Sequence, residues 1–211
     1  MNAMNEFHFE KFSEWIRNGL EDAGRKRQNP GRLDFISDLF RNFERKTANF
    51  SEDEVAEGLR GFVHPGRDEG ALLIYDGNIP LQNRASAVRN LEGVFDYLGR
   101  KCLINLNSRR GSPLSPLNEL CRDWWDIFPA HPLSVDPERR CLDHEFLAVF
   151  EKMASAHSPV IQEAALHGLG HWQHAYPVLI GKTIDAYLER NVKADPLLRK
   201  YAVAARQGLV H

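Results

Sequence analysis

An internal repeat near the C-terminal end constrains this chain more than any other feature. The stretch "SPVIQEAALHGLG" begins at Ser158, and "DPLLRKYAVAARQG" begins at Asp195, 37 residues later. Each opens with a residue whose side chain caps helices well. Proline follows, then two aliphatics, a pair that carries charge, and small apolar residues. Proline suits the first helical position because the N–H it lacks would have no intrahelical partner there. Each copy is preceded by another helical stretch, "DHEFLAVFEKMASAH" (143–157) and "YPVLIGKTIDAYLERN" (176–191). The unit is therefore a helical hairpin, and a hairpin that repeats buries its apolar face against its neighbour.

The segment "PVIQEAALHGLGHW" resembles the second helix of a HEAT repeat, whose pattern is a cap, an aliphatic and an Ala-rich stretch ending in Leu-Gly. The resemblance covers residues 137–208. It implies an all-α fold of stacked antiparallel helical hairpins, a HEAT-like α-solenoid of the ARM/HEAT superfamily, and carries no particular chemistry. The pairing of "DWWDIFP" (123–129) with "ALHGLGHW" (165–172) also resembles bacterial proteins of this layout, again without an activity attached.

Helical periodicity extends through the rest of the chain. Phe9, Phe12, Ile16 and Leu20 fall at helical spacing, as do Ile36, Leu39, Phe40 and Phe43. Ser51 followed by Glu54 reads as a capping box opening a helix through Phe62. Ala85, Val88, Leu91, Phe95 and Leu98 form one stripe, and Ser115-Pro116 opens another helix. The run "ALLIY" (71–75) has β-compatible residues but no neighbour of similar character, so it is expected to be helical. Breakers at 29–31, 64–70, 76–80, 105–116 and 129–137 read as loops between helices. The chain is expected to form a single domain, with a sub-boundary near 105–116.

Charge narrows the function classes. The 27 Lys and Arg are set against 29 Asp and Glu, and neither half of the chain is basic, so a nucleic-acid partner is not expected. Short basic runs such as Arg25-Lys26-Arg27 and Arg109-Arg110 read as solvated helix ends or loops. The three cysteines, Cys102, Cys121 and Cys141, are odd in number and widely spaced, which fits a reducing compartment. The N-terminus has no basic segment followed by an apolar run, and no apolar stretch approaches membrane-spanning length. A cytoplasmic location without membrane contact is the expectation.

Three histidines, His167, His171 and His174, fall within eight positions of the second-helix motif. At about 100° per residue, they share one side of the helix with Glu163, while Ile161, Ala165, Leu169 and Trp172 lie on the other. Histidines four apart can bind one metal, as in the H-E-x-x-H helix. Here the motif is H-G-L-G-H, no glutamate follows the first histidine, and Pro177 turns the chain out of the helix near His174. The expectation is therefore a partly exposed polar face with no metal and no cofactor. Gly168 and Gly170 cost helix propensity, which suggests a close approach, by a neighbouring helix rather than a ligand. In "CLDHEF" (141–146), Cys141, Asp143, His144 and Glu145 read as a first helical turn whose acidic residues complement the helix dipole. Of Trp124 and Trp125, one is expected in the core and the other lining a groove or lying between helices.

Together these readings predict a non-enzymatic helical-repeat scaffold that binds a macromolecular partner, a protein, through the surface of its second helices. Glu163, His167, His171, His174, Trp124 and Trp125 are the candidate contacts. The alternative is a metal-dependent hydrolase using His167, His171 and a carboxylate such as Asp143 or Glu145. A third option, a DNA glycosylase on a helical-repeat fold, is disfavoured by the balanced charge.

Overall fold

The computed structural model describes residues 12–63, 70–102, 115–132 and 135–210, and the regular structure within them is entirely helical. The elements are α1 (Phe12–Arg41), α2 (Phe43–Thr47), α3 (Glu52–Val63), a 3-10 turn (Ala71–Tyr75), α4 (Leu81–Lys101), α5 (Pro116–Ile127), α6 (Pro137–Ala154), α7 (Pro159–Trp172), α8 (Pro177–Arg190) and α9 (Pro196–Ala205). The run "ALLIY" is thus a single helical turn, as expected, with Ala71, Leu73 and Ile74 buried. Phe9 and most of the suspected boundary at 105–116 lie outside the described residues.

Helix starts follow the local chemistry of the chain. Ser51 and Glu54 form a reciprocal capping box. The Ser51 N–H donates to the Glu54 carboxylate at 2.8 Å, and the Glu54 N–H donates to Ser51 Oγ at 3.3 Å. Ser115 accepts from the Asn118 N–H and Asp195 from the Leu197 N–H, each just before a proline at the first helical position. Ser158 is the exception: its side chain makes no capping bond, although Pro159 follows it in the same way.

The "NPG" stretch, expected as a loop between helices, instead lies inside α1, which is helical from Phe12 to Arg41 with Pro30 within it. Two residues 16 apart on a straight helix would be separated by about 24 Å. Yet a Cβ on Gly19 would sit 2.3 Å from the Phe35 ring, and Trp15 packs on Phe35 with ring centroids 5.5 Å apart. α1 therefore doubles back on itself. The reversal falls at Gln28, which takes a left-handed φ of 53°, next to Pro30.

The helices form two layers. α1, α4 and α6 pack side by side in one row, and α3, α5, α7 and α9 follow one another in the second. Between the rows α1 meets α3, α4 meets α5 and α7, and α6 meets α7. α8 packs on α7 and α9. The buried Arg84 ties α4 to α6: its Nε donates to the Ile79 carbonyl and its Nη2 to the Glu138 carboxylate at 2.6 Å. A second, exposed pair, Lys152 with Glu92, links the same helices.

α7 is the most enclosed helix. Every residue from Val160 to Gly170 is buried, and so is Trp172. Two glycines allow this enclosure. A Cβ on Gly168 would meet Phe150 of α6 and Trp125 of α5 at 2.3–3.0 Å, and one on Gly170 would meet Val210 at 2.4 Å. Neighbouring helices make the close approach at Gly168, as expected, whereas at Gly170 it is made by Val210 of the segment after α9. An aromatic cluster surrounds the contact. Trp125 packs on Phe95, Phe128, Phe146 and Phe150, and Trp124 on Phe95 and Phe128.

Two predictions follow from this packing. The Cβ of Gly93→Ala would sit 2.1 Å from the backbone carbonyl oxygen of Phe40, which no side-chain rotation can relieve. Denaturant titration should show a loss of about 1–3 kcal/mol, the range for overpacking. Gly77→Ala, whose Cβ meets nothing within 4 Å, should be neutral or slightly stabilising.

The second prediction concerns alkaline pH. Burial pushes the Tyr187 phenol up to about 12, and burial raises Tyr75 and Tyr176 as well, the latter aided by its bond to Asp143. These groups are easier to ionise in the unfolded chain. Their contribution is therefore complete below about pH 10 and is lost as pH rises through the folded values. Tyr187→Phe should flatten the fall in melting temperature above pH 10, at the cost of the Tyr187 bond to Gln162.

Candidate functional site

Burial of the "WW" pair determines what the next residue does. With Trp125 in the aromatic cluster, Asp126 emerges at the exposed C-terminal end of α5, beside the second-row face of α7. On α7, His167 and His171 are one helical turn apart and face α5. Tyr201 of α9 approaches from the other side. The result is a four-residue cluster drawn from three successive helices of one row.

Its geometry is tight. His167 Nδ1 lies 2.5 Å from the Tyr201 hydroxyl. His167 Nε2 lies 3.1 Å from Asp126 Oδ1, and His171 Nε2 lies 2.9 Å from the same oxygen. The two Nε2 atoms are themselves 2.9 Å apart, with the rings at 84° to each other. The cluster is graded in exposure: the His167 side chain is 11% exposed, His171 38% and Asp126 49%. It is thus rooted in the core and open to solvent at one end. Among the described residues, Asp126, His167 and His171 form a group of donor atoms close enough to hold a metal ion.

Several expectations about these residues need correction. Glu163 and His167 are buried, not part of an exposed face, because α5 and α9 cover that side of α7. A helical wheel identifies which side is polar but not which side is covered. Trp124 and Trp125 are both buried, so neither lines a groove or offers a ring to a partner. His171 and His174 are exposed, and His174 does lie beyond the end of α7, with Tyr176 out of helical conformation before Pro177.

The carboxylate that joins the histidines is Asp126, not Asp143 or Glu145. Asp143 is buried and accepts the Tyr176 hydroxyl proton at 2.9 Å, while Glu145 pairs with Arg89. Cys141 and His144 are exposed, and the His144 ring lies against Tyr176, the partner of Asp143, with centroids 5.8 Å apart. Asp126 and Tyr201 went unassigned in the sequence reading. The signals for them were present: Asp126 directly follows the tryptophans, and Tyr201 lies in the helix that Asp195 caps. Cys121 offers no nucleophile here. Its hydrogen bond with Cys102 and complete burial push its thiol well above the usual range, so it stays protonated.

A separate cleft of about 450 Å³ opens between α4, α6 and the start of α7. Phe95, Met153 and Ile161 form its floor, and Arg100, Lys152 and His157 its rim. It includes no member of the histidine cluster. No helix among the described residues is long and apolar enough to cross a membrane.

The graded exposure predicts unequal costs of mutation. His167→Ala leaves the Tyr201 hydroxyl without its short partner in a covered site and should destabilise by about 1–3 kcal/mol. His171→Ala, at the open end, should stay within about 0.5 kcal/mol of the wild type. Paired thermal melts at neutral pH measure the difference. Comparison with protein-family models, with curated proteins and with solved structures gives no match, so the reading of this site rests on its geometry.

Proposed function

We propose that the chain is a HEAT-like stack of helical hairpins that binds a protein partner through the face built by α5, α7 and α9. The order of packing supports the stack. The second helices of three consecutive hairpins lie in sequence along one row; behind them α6 packs beside α4, and α8 packs on α7 and α9. In such stacks the second-helix row forms a continuous surface on which side chains from neighbouring repeats combine.

The single observation that carries the binding reading is the convergence of Asp126, His167, His171 and Tyr201, from three successive helices of that row, on one half-open spot. Polar groups held in fixed geometry at a solvent edge lose little freedom when a partner engages them. The balanced net charge fits a protein better than a nucleic acid. A cytoplasmic setting and a non-enzymatic scaffold or inhibitor role complete the proposal. A hydrolytic role would first require the histidine pair to hold a metal, which is a separate question of coordination.

The test uses charge reversal at the open end of the cluster, leaving the buried His167 intact. Asp126→Arg combined with His171→Asp should fold with a melting temperature near that of the wild type. It should lose at least tenfold in affinity, about 1.4 kcal/mol, for a protein partner recovered from the native host. Glu151→Arg, exposed on the first-helix row, should bind normally. Equal binding by all three proteins would place the functional surface elsewhere.

A further inference from the structure

We infer that Asp126, His167 and His171 form a binding site for one divalent transition-metal ion, held by Asp126 Oδ1 and the two Nε2 atoms. This inference does not depend on the partner-binding proposal.

The first argument is proton bookkeeping. The three atoms form a triangle with edges of 2.9, 2.9 and 3.1 Å. An ionised carboxylate oxygen only accepts, and each Nε2 carries either one proton or one lone pair. If both Nε2 atoms are protonated, both donate to Asp126, and the two N–H groups confront each other across the third edge. If only one is protonated, the other presents its lone pair to the carboxylate or accepts from its neighbour, and at least one edge sets lone pair against lone pair. No placement of protons turns all three edges into good hydrogen bonds. A cation seated above the plane of the triangle takes a lone pair from all three at once.

The second argument is metric. Cis donors around an octahedral ion with bonds of about 2.1 Å lie about 3.0 Å apart, and donors around a tetrahedral ion about 3.4 Å apart. The observed triangle therefore matches one face of an octahedron, and a small outward movement of the half-exposed Asp126 and His171 reaches the tetrahedral spacing. Two imidazoles and one carboxylate suit zinc, iron(II), manganese or cobalt better than calcium, which takes oxygen donors. Three donors leave further coordination positions on the open side of the triangle.

The third argument is the outer shell. A histidine that binds a metal through Nε2 characteristically uses Nδ1 in a second hydrogen bond, which sets its tautomer and ring orientation. His167 does this with the Tyr201 hydroxyl at 2.5 Å, with the two rings nearly parallel at 9°. Tyr201 is then a positioning residue, and its place in the second repeat copy explains why the site needs both copies.

The experiment is equilibrium dialysis and calorimetric titration of tag-free protein with Zn²⁺ and with Co²⁺ at pH 7.5, with the cobalt d–d absorption as a spectroscopic readout. One ion per chain should bind, with a cobalt spectrum of nitrogen–oxygen ligation and a rise in melting temperature that grows with free metal. Asp126→Asn and His171→Ala alter half-exposed side chains and should fold, yet each should weaken binding at least about tenfold. Tyr201→Phe should weaken it by about 10–100-fold. His174→Ala, beyond the helix end, should bind as the wild type does. Absence of saturable binding of either ion, or binding that Asp126→Asn and His171→Ala both leave intact, would overturn the assignment.

Discussion

Phe150 and Trp125 reach the backbone of α7 at Gly168, where a Cβ would lie 2.3–3.0 Å from their rings. With no Cβ in the way, α5 and α6 close on α7 until their aromatic rings meet its backbone. α7 then becomes the interior helix of the second row, enclosed by α4, α5, α6, α8 and α9. Enclosure has a consequence for its polar residues. A buried polar group without a partner costs several kcal/mol, so Glu163 and His167 must find partners within the protein. For His167 the partners are Asp126 and Tyr201, supplied by the helices on either side. The polar cluster is thus a product of the same packing that forms the core.

The cluster differs from the other charged contacts of the molecule. Pairs such as Arg206 with Asp185, Arg100 with Glu44 and Lys152 with Glu92 are exposed, and contacts of that kind contribute little to stability. They are also two-membered, and each partner satisfies the other. Asp126, His167 and His171 meet as three, and three mutual contacts exceed what their protons can serve. His167 is anchored from behind by Tyr201, while Asp126 and His171 reach the solvent. A rigid inner ligand with two adjustable outer ones is a practical way to admit an ion from solution. The same arrangement gives a binding face a fixed centre and an adaptable edge.

The row that carries the cluster also explains why no single helix would suffice. Asp126 lies in the last turn of α5, His167 and His171 lie on α7, and Tyr201 lies on α9. Each helix contributes through a different local device. Burial of Trp125 aims Asp126, helical spacing pairs the histidines, and the Asp195-Pro196 start places Tyr201 one turn into α9. Loss of any one of these helices would leave the others without a site.

Much of the architecture was legible in the chain itself, because it rests on local chemistry. Caps at Ser51, Ser115 and Asp195, prolines at first helical positions, the breaker at 29–31 and apolar stripes such as Ala85 to Leu98 act within a few residues, and their effects do not depend on distant partners. The prolines at 159, 177 and 196 likewise mark the starts of α7, α8 and α9. The wheel of α7 correctly separated Leu169 and Trp172 from the histidines. It could not reveal that a second set of helices covers the polar side, and so it exposed Glu163 and His167 in error. The same limit applies to Trp124 and Trp125: adjacent residues diverge around a helix, yet both can be buried when helices close on two sides. Only the tertiary structure brought Asp126 and Tyr201 to the histidines, across 41 and 34 residues of sequence from His167. Spacing along one helix is set by the chain's own geometry, whereas the third and fourth members of a site are set by which helices touch.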